Sequence, residues 1–236
     1  MHEQQARYAI YFVAAPDSDL HRFGSAVLGY DCYTGDELPF PDNLAVDRET
    51  WRTLTEEPRR YGFHATLKAP FRLALARNET ELMAAFGDFA PRTHPIAGFP
   101  PQVRLIGGFT AVVPREPCPA LVDLANRCTS EFDAFRASMS DDERERRLAS
   151  GLSEPQVQNL DRWGYPYVFD DFRFHMTLTG RLPPERRDAV LALLSKSFAA
   201  RCGETPIAVD RLGLFKQDDA RGRFRVLCAE PLRGGS

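Results

Sequence analysis

The chain predicts an α+β fold built from two similar halves that share one cleft. Segments with the two-residue period of strands alternate with segments of helical spacing, which is the pattern of an α+β protein. The short pattern His-x-Thr-Leu occurs twice, each time directly after a Phe, and the two copies lie about half a chain apart. Such a repeat indicates that each half brings one His and one Thr to a common cleft.

Strands and helices alternate through the first half of the chain. Residues 7–15 are rich in aromatic and β-branched side chains and predict a strand. Asp17 or Ser18 can cap the helix predicted next, over residues 19–29. Gly and Pro make residues 30–43 a loop. The other predicted elements are a helix at 47–57, the first motif strand at 63–67, the start of a strand at 70–73, a helix at 79–89, and strands near 94–98, 102–107 and 109–113.

The second half repeats this organisation after a charged segment. Acids and bases alternate over residues 139–160, which favours a solvated helical insertion over a nucleic-acid patch. The whole chain, residues 1–236, is expected to form a single bilobal domain, with the first motif near 60–71 and the second near 172–182. The other predicted elements are a helix at 119–138, the second motif strand at 173–179, a helix at 184–201, and strands near 205–215 and 223–229.

The composition of the chain limits the kinds of ligand that the protein is expected to bind. The 236 residues carry a net charge of −3 with a pI near 6.0, so there is no broad basic field for long nucleic acid. A small anionic ligand held by a few local Arg and Lys side chains fits better. The five scattered cysteines indicate neither a disulfide framework nor a zinc site. The start lacks an apolar signal core and no apolar run reaches roughly 20 residues, so we expect a cytoplasmic monomer without a membrane segment.

Each motif has one polar and one apolar face if it forms a strand. Side chains alternate between the two faces of a strand, so every second residue shares a side. The residues opposite the histidines are apolar, as a core-facing side should be. The polar faces are predicted to carry His64, Thr66 and Lys68 in the first motif, and Arg173, His175 and Thr177 in the second.

Two histidines facing one phosphate can cleave a phosphodiester. One imidazole can act as general base and the other as general acid, since an unperturbed pKa near 6.5 makes both forms available. Each Thr hydroxyl can donate to a non-bridging phosphate oxygen. A single His on a strand is more often structural, but two copies in matching contexts favour catalysis. A metal site would need three or four ligands, and His21, His94 and the acids show no compact ligand spacing. We therefore expect no metal and no cofactor.

The two motifs together resemble the 2H phosphoesterase superfamily, which is marked by paired H-x-T/S repeats. Residues 60–71 and 172–182, with the later 212–217 and 224–227, are most similar to its DUF1045-like branch, encoded with phosphonate-degradation operons. The resemblance implies two antiparallel-sheet lobes with outer helices, related by a pseudo-twofold axis around a central cleft. It also implies metal-independent chemistry on a cyclic phosphodiester. By motif position, His64 and His175 are the implied catalytic pair, and Thr66 and Thr177 bind the phosphate.

Three further residues are candidates for substrate binding. Lys68 and Arg173 can add positive charge to the cleft, and Tyr11 on the first strand can line it. The leading functional hypothesis is a phosphodiesterase for a small cyclic phosphodiester, such as a phosphoribosyl cyclic phosphate in phosphonate breakdown. An enzyme for RNA ends or 2′,3′-cyclic nucleotides is the first alternative. A phosphate-binding sensor without turnover is the second.

Overall fold

The computed structural model describes residues 6–44 and 46–235. The expectation that the chain's start lacks a signal core falls mostly on residues 1–5, outside that part. The predicted α+β class is confirmed: helices surround an antiparallel sheet. No helix within the described residues is both long and apolar enough to cross a membrane.

Nine strands and eight α-helices are present in the described part of the chain. The strands are β1 (Arg7–Phe12), β2 (Ala65–Phe71), β3 (Ile96–Phe99), β4 (Pro101–Ile106), β5 (Phe109–Pro114), β6 (Met176–Thr177), β7 (Ile207–Val209), β8 (Arg211–Gln217) and β9 (Arg225–Pro231). The helices are α1 (Asp19–Leu28), α2 (Arg48–Leu54), α3 (Glu56–Arg59), α4 (Glu79–Phe89), α5 (Pro119–Glu131), α6 (Asp141–Leu148), α7 (Glu154–Trp163) and α8 (Arg187–Cys202).

The two motif strands are neighbours in one sheet. Seven strands pair in the order β4-β5-β6-β2-β1-β8-β9, while β3 and β7 form a separate antiparallel pair. The strand β2 lies antiparallel to β6, with Ala65 opposite Met176. This pairing places the residues on either side of Ala65 and Met176 close together, although they are far apart in sequence.

The sheet separates a large apolar core from a smaller aromatic cluster. Ile10 and Phe12 of β1 point into the large core, which also holds apolar side chains from α1, α4, α5 and α8. Tyr11, between them, points to the opposite face, into a cluster with Phe215 and Phe224. Because alternate side chains of a strand take opposite faces, these four helices cover one face and leave the other for a site.

Helix α1 packs directly beneath the first motif. Its start is capped by Ser18, whose hydroxyl oxygen accepts a hydrogen bond from the backbone N–H of His21. Halfway along, a Cβ added at Gly24 would lie 2.0 Å from ring atoms of Phe63, the residue before His64. Phe63 is fully buried. Only a glycine lets helix and motif approach this closely, so the helix position and the motif position are coupled.

Several predicted elements differ in their bounds. The second motif strand was expected at 173–179 but pairs only over Met176–Thr177. The reason is that the N–H groups of Leu178 and Thr179 both donate to the Thr110 carbonyl, so the ladder cannot continue. Helix 47–57 divides into α2 and α3 at Thr55, and α5 ends at Glu131 rather than 138. The charged segment forms two helices, α6 and α7.

Replacing Gly24 by Ala should destabilise the protein by roughly 1–3 kcal/mol, because the new methyl group overlaps the buried Phe63 ring. Gly87 of α4 is the matched control: a Cβ there meets no atom within 4 Å. Gly87→Ala should therefore raise the free energy of unfolding by about 0.5–1 kcal/mol. Urea unfolding, monitored by circular dichroism, measures the free energy of unfolding of both variants. Equal effects of the two substitutions would contradict the close packing of α1.

Candidate functional site

A cleft of about 510 Å³ opens on the sheet face opposite helices α1, α4, α5 and α8. Both motif histidines and both motif threonines line it. The other lining residues come from several elements: Arg7, Tyr11, Glu57, Pro58, Tyr61, Ala69, Pro70, Phe109, Arg147, Tyr165, Thr179, Gly180 and Arg181. The predicted convergence of His64, Thr66, His175 and Thr177 is therefore what the fold produces.

His64 is held in one orientation by its own backbone. Its Nδ1 lies 2.9 Å from the carbonyl oxygen of Gly62, two residues earlier. A carbonyl only accepts, so Nδ1 carries the hydrogen and Nε2 is left as the basic nitrogen. Gly62 takes a left-handed φ of 76°, and a Cβ there would lie 2.5 Å from Cβ of Cys32. The glycine thus permits the turn that aims its carbonyl at the imidazole.

His175 is held in the same way. Its Nδ1 lies 2.7 Å from the carbonyl oxygen of Arg173, again two residues earlier. By the same reasoning, Nδ1 donates and Nε2 is free for proton transfer. The two imidazoles therefore share one tautomer although their local backbones differ. The ring of Phe109 lies beside His175, with ring centroids 5.7 Å apart.

Tyr11 packs directly on His64. The two rings are stacked, with centroids 3.8 Å apart and an angle of 25° between planes. The tyrosine is fully buried from solvent, and its hydroxyl oxygen has no hydrogen-bond partner among the described residues. Tyr11 therefore lines the cleft as expected, and its main contact there is the imidazole rather than open space.

The two motif threonines differ in their contacts. Thr66 lies opposite Tyr11 in the β1–β2 pair, and its hydroxyl is 3.1 Å from Nε2 of His64. Since that nitrogen is unprotonated, the hydroxyl donates to it. Thr177 lies opposite Ala111 of β5 and lines the cleft beside His175. Each threonine is placed two residues after its histidine, on the same face.

Lys68 was expected to follow Thr66 on the cleft side, and the structure corrects this. The β1–β2 register shifts between Thr66 and Lys68, so Leu67 and Lys68 both fall on the helix-covered side. Such a bulge moves later side chains to the other face. The Lys68 ammonium donates to the carbonyl oxygen of Thr129 at 3.0 Å and lies 3.7 Å from a carboxylate oxygen of Asp133.

Arg173 was also expected in the cleft and lies outside it. Its guanidinium donates to the carbonyl oxygens of Asp170 and Phe172, both at 2.7 Å, and its side chain is exposed. The described residues directly before Met176 pair with no neighbouring strand, so no sheet ladder holds the Arg173 side chain over the cleft. What Arg173 supplies to the site is its carbonyl, the acceptor for His175.

The cleft contains residues that the motifs did not indicate. Arg7 shares the face of Tyr11 at spacing four, so strand periodicity could have found it. Arg147 comes from the charged helix α6, where no sequence signal separates it from its neighbours. Tyr165 follows α7. Within the described residues, no group of three or more His, Cys, Asp or Glu side chains is placed to hold a metal ion.

Burial controls the protonation of both histidines. Loss of solvation lowers the pKa of His64 to about 4, opposed by its hydrogen bond to Gly62 and aided by the charge of His175. Loss of solvation also lowers the pKa of His175, opposed by the bond to Arg173. Both imidazoles are therefore neutral near pH 7 in the empty cleft. A bound phosphate anion would raise both pKa values, because a nearby negative charge favours the protonated form.

The chain belongs to the family described as "Protein of unknown function (DUF1045)", which matches residues 66–225. This confirms the DUF1045-like resemblance. A ribose 1,5-bisphosphate phosphokinase PhnN of Janthinobacterium sp. (strain Marseille) is 35% identical over 92% of this chain and 48% of that protein. The protein of the same name from Laribacter hongkongensis (strain HLHK9) is 32% identical over 93% of this chain and 50% of that protein. The chain thus spans about half the length of these relatives.

Solved structures with related shapes are more distant. E. coli LigT complexed with NADP+ aligns with a TM-score of 0.44 and 16% identity, covering 97% of this chain and 98% of that one. Kluyveromyces marxianus Usb1 aligns with a TM-score of 0.37 and 12% identity, covering 98% of this chain and all of that one. At such values, a functional conclusion has to come from the cleft itself.

The lowered histidine pKa values predict that acid destabilises the fold. Between pH 6.5 and about 4 the unfolded chain binds a proton at His64 that the folded chain does not, so the free energy of unfolding falls as pH falls. The double variant His64→Asn/His175→Asn keeps donors near the two carbonyls but cannot titrate. Its free energy of unfolding should fall less steeply over this window. Urea titrations at several pH values measure the slope, and identical slopes for the two proteins would contradict half-buried histidines that stay neutral in the folded state.

Proposed function

We propose that the protein is a metal-independent phosphodiesterase that opens a small cyclic phosphodiester. The observation that supports this most strongly is the matched pair of histidines, each with Nδ1 tied to a backbone carbonyl and Nε2 available in one cleft. A general acid and a general base at fixed positions are what hydrolysis of a diester requires. The paired H-x-T resemblance points to the same chemistry.

We propose His64 as the general base and His175 as the general acid. Nε2 of His64 removes a proton from water as the water oxygen bonds to phosphorus. The bound phosphate raises the pKa of His175, so this imidazole takes up a proton at Nε2 before the reaction. The bond from phosphorus to the leaving sugar oxygen then breaks, and His175 gives that proton to the oxygen. The low pKa of His64 favours the base role, because the imidazole stays neutral near pH 7. With substrate bound, the Thr66 hydroxyl turns from Nε2 of His64 to the phosphate, which frees that nitrogen. The Thr66 and Thr177 hydroxyls then donate to the non-bridging oxygens as negative charge builds.

The cleft also suits the charge of such a substrate. Three arginines, Arg7, Arg147 and Arg181, line it, with Glu57 as the one acid among the described lining residues. An excess of fixed positive charge attracts a phosphorylated substrate and stabilises a more negative transition state. The cleft volume of about 510 Å³ fits a sugar phosphate rather than an extended polymer.

The kinase-named relatives favour a ribosyl substrate. Their name contains ribose 1,5-bisphosphate. Hydrolysis of 5-phosphoribosyl 1,2-cyclic phosphate at the bond between phosphorus and O2 would release that compound, since the phosphate stays on O1. We therefore propose this cyclic phosphate as the substrate. A 2′,3′-cyclic nucleotide is the second candidate, because the tyrosines of the cleft offer ring faces to a base.

Substituting either histidine should remove most of the turnover. His64→Ala and His175→Ala should each lower kcat by roughly 10²–10⁴-fold, the usual value of a general acid or base. His94→Ala is the matched control, because His94 is exposed and lies outside the cleft. Release of product from 5-phosphoribosyl 1,2-cyclic phosphate and from 2′,3′-cyclic nucleotides measures the rates, with EDTA present. Turnover in the double variant His64→Ala/His175→Ala, or loss of turnover with EDTA, would contradict the mechanism.

A good leaving group should separate the two histidine roles. In methyl 4-nitrophenyl phosphate the departing nitrophenolate needs no proton, so the general acid becomes dispensable. His175→Ala should then retain more of the wild-type rate than His64→Ala. Nitrophenolate absorbance measures both rates. If His64→Ala instead retains more of the wild-type rate, His64 is the general acid and His175 is the general base.

A further inference from the structure

A group of arginines and tyrosines lies beside His64 and has no role in the proton transfers. It consists of Arg7, Tyr11, Tyr61, Tyr165 and Arg147, all of which line the cleft, and we refer to it as the arginine–tyrosine subsite. Tyr11 stacks on His64, and the Tyr61 ring lies 6.0 Å from the same imidazole. Arg147 lies over the Tyr165 ring at 5.7 Å. The subsite is thus adjacent to the reacting groups.

Arg7 is positioned with donors to spare. Its Nε donates to Oε1 of Gln217 at 2.7 Å, and its guanidinium lies 5.4 Å from the centre of the Phe224 ring. Gln217 is buried and is fixed by its own bond to the carbonyl oxygen of Gly222. Within residues 6–44 and 46–235, the two terminal nitrogens of Arg7 make no hydrogen bond. A guanidinium fixed through Nε presents these two nitrogens together, the geometry that binds a phosphate with two bonds.

Arg147 reaches the cleft from helix α6, which has no buried residue. Its ion-pair partner is Glu143, with the nearest atoms 3.6 Å apart. Glu143 is also bonded to Arg72 at 3.0 Å, so one carboxylate is shared between two arginines. The charge of Arg147 is therefore not neutralised by a partner of its own. In the described part of the chain its guanidinium makes no hydrogen bond.

Tyr11 adds an independent sign of a ligand. Its hydroxyl oxygen is buried and has no partner among the described residues, and the residue itself lines the cleft. A buried hydroxyl without a hydrogen bond costs free energy and calls for an explanation. A ligand oxygen in the subsite would satisfy it.

We propose that the arginine–tyrosine subsite binds a second phosphate group of the substrate, a terminal monoester separate from the diester that is cleaved. Arg7 and Arg147 would donate to the monoester oxygens from two elements distant in sequence, and the Tyr11 hydroxyl would donate a further bond. The rings of Tyr61 and Tyr165 would cover the sugar between the two phosphates. The identity of the cleaved diester rests on the proposed function, but binding of the monoester does not.

Ribose 5-phosphate is the probe, because it carries the monoester without a diester. In isothermal titration calorimetry, Arg7→Ala and Arg147→Ala should each weaken its binding roughly 10- to 100-fold, the value of a charge-assisted bond. Arg146→Ala is the matched control: it removes the same charge from the same helix, but Arg146 is exposed and, among the described residues, bonds only to the carbonyl oxygen of Asp142. Equal affinities of the wild-type protein and the three variants for ribose 5-phosphate would overturn the proposal.

The Tyr11→Phe variant tests whether a loss of ribose 5-phosphate affinity could have a purely structural cause. It removes the unpartnered hydroxyl and keeps the ring stacked on His64. The melting temperature should stay the same or rise, whereas the affinity for ribose 5-phosphate should fall roughly 10-fold. Unchanged affinity would show that the hydroxyl faces no phosphate and would count against the subsite.

Kinetics then separate this proposal from the proposed function. The ratio of kcat/KM for 5-phosphoribosyl 1,2-cyclic phosphate to that for ribosyl 1,2-cyclic phosphate should fall at least 10-fold in Arg147→Ala and stay constant in Arg146→Ala. If no diester is turned over but ribose 5-phosphate binding still depends on Arg147, the proposed function fails and the subsite stands. A third outcome would overturn the subsite: diesters are turned over and adenosine binds, but neither arginine substitution changes the affinity for ribose 5-phosphate. In that case the tyrosines bind a nucleobase.

Discussion

The pairing of β2 with β6 is the constraint on which the rest of the site depends. Ala65 and Met176 meet across this pair, and both are fully buried in the large core. Because side chains alternate along a strand, burying Ala65 and Met176 under the helices turns their neighbours to the open face. His64, Thr66, His175 and Thr177 are those neighbours. The apolar side of the sheet therefore determines where the polar chemistry lies.

Short hydrogen bonds to the preceding backbone complete the arrangement. Each imidazole is tied through Nδ1 to the carbonyl two residues earlier, which fixes both its ring orientation and its tautomer. The two sides are not equivalent, however. His64 is additionally stacked on Tyr11 and bonded to Thr66, whereas the aromatic neighbour of His175 in the described part of the chain is Phe109, which is tilted against its ring. This asymmetry supports distinct base and acid roles for two motifs that look alike in sequence.

The positive charge of the cleft comes from parts of the chain that carry no motif. Arg7 begins the first strand, and Arg147 lies on a solvated helix from the charged segment. That segment was expected to be an insertion with no stated role. In the proposed function it contributes a phosphate-binding arginine, held by the ion pairs of Glu143 with Arg147 and Arg72. In that proposal the four motif residues supply the chemistry and the arginines select the substrate.

The sequence by itself determined the α+β class, most of the helices, and the convergence of His64, Thr66, His175 and Thr177. These follow from local periodicity and from a repeated pattern, both of which are visible along the chain. Only the tertiary structure decided the fate of Lys68 and Arg173. A β-bulge after Thr66 moved Lys68 to the core side, and Arg173, which precedes the strand that ends the motif pairing, has an exposed side chain outside the cleft. Tertiary contacts likewise brought Arg147 and Tyr165 to the cleft, because non-local packing, which sequence spacing does not encode, sets which charged side chains meet.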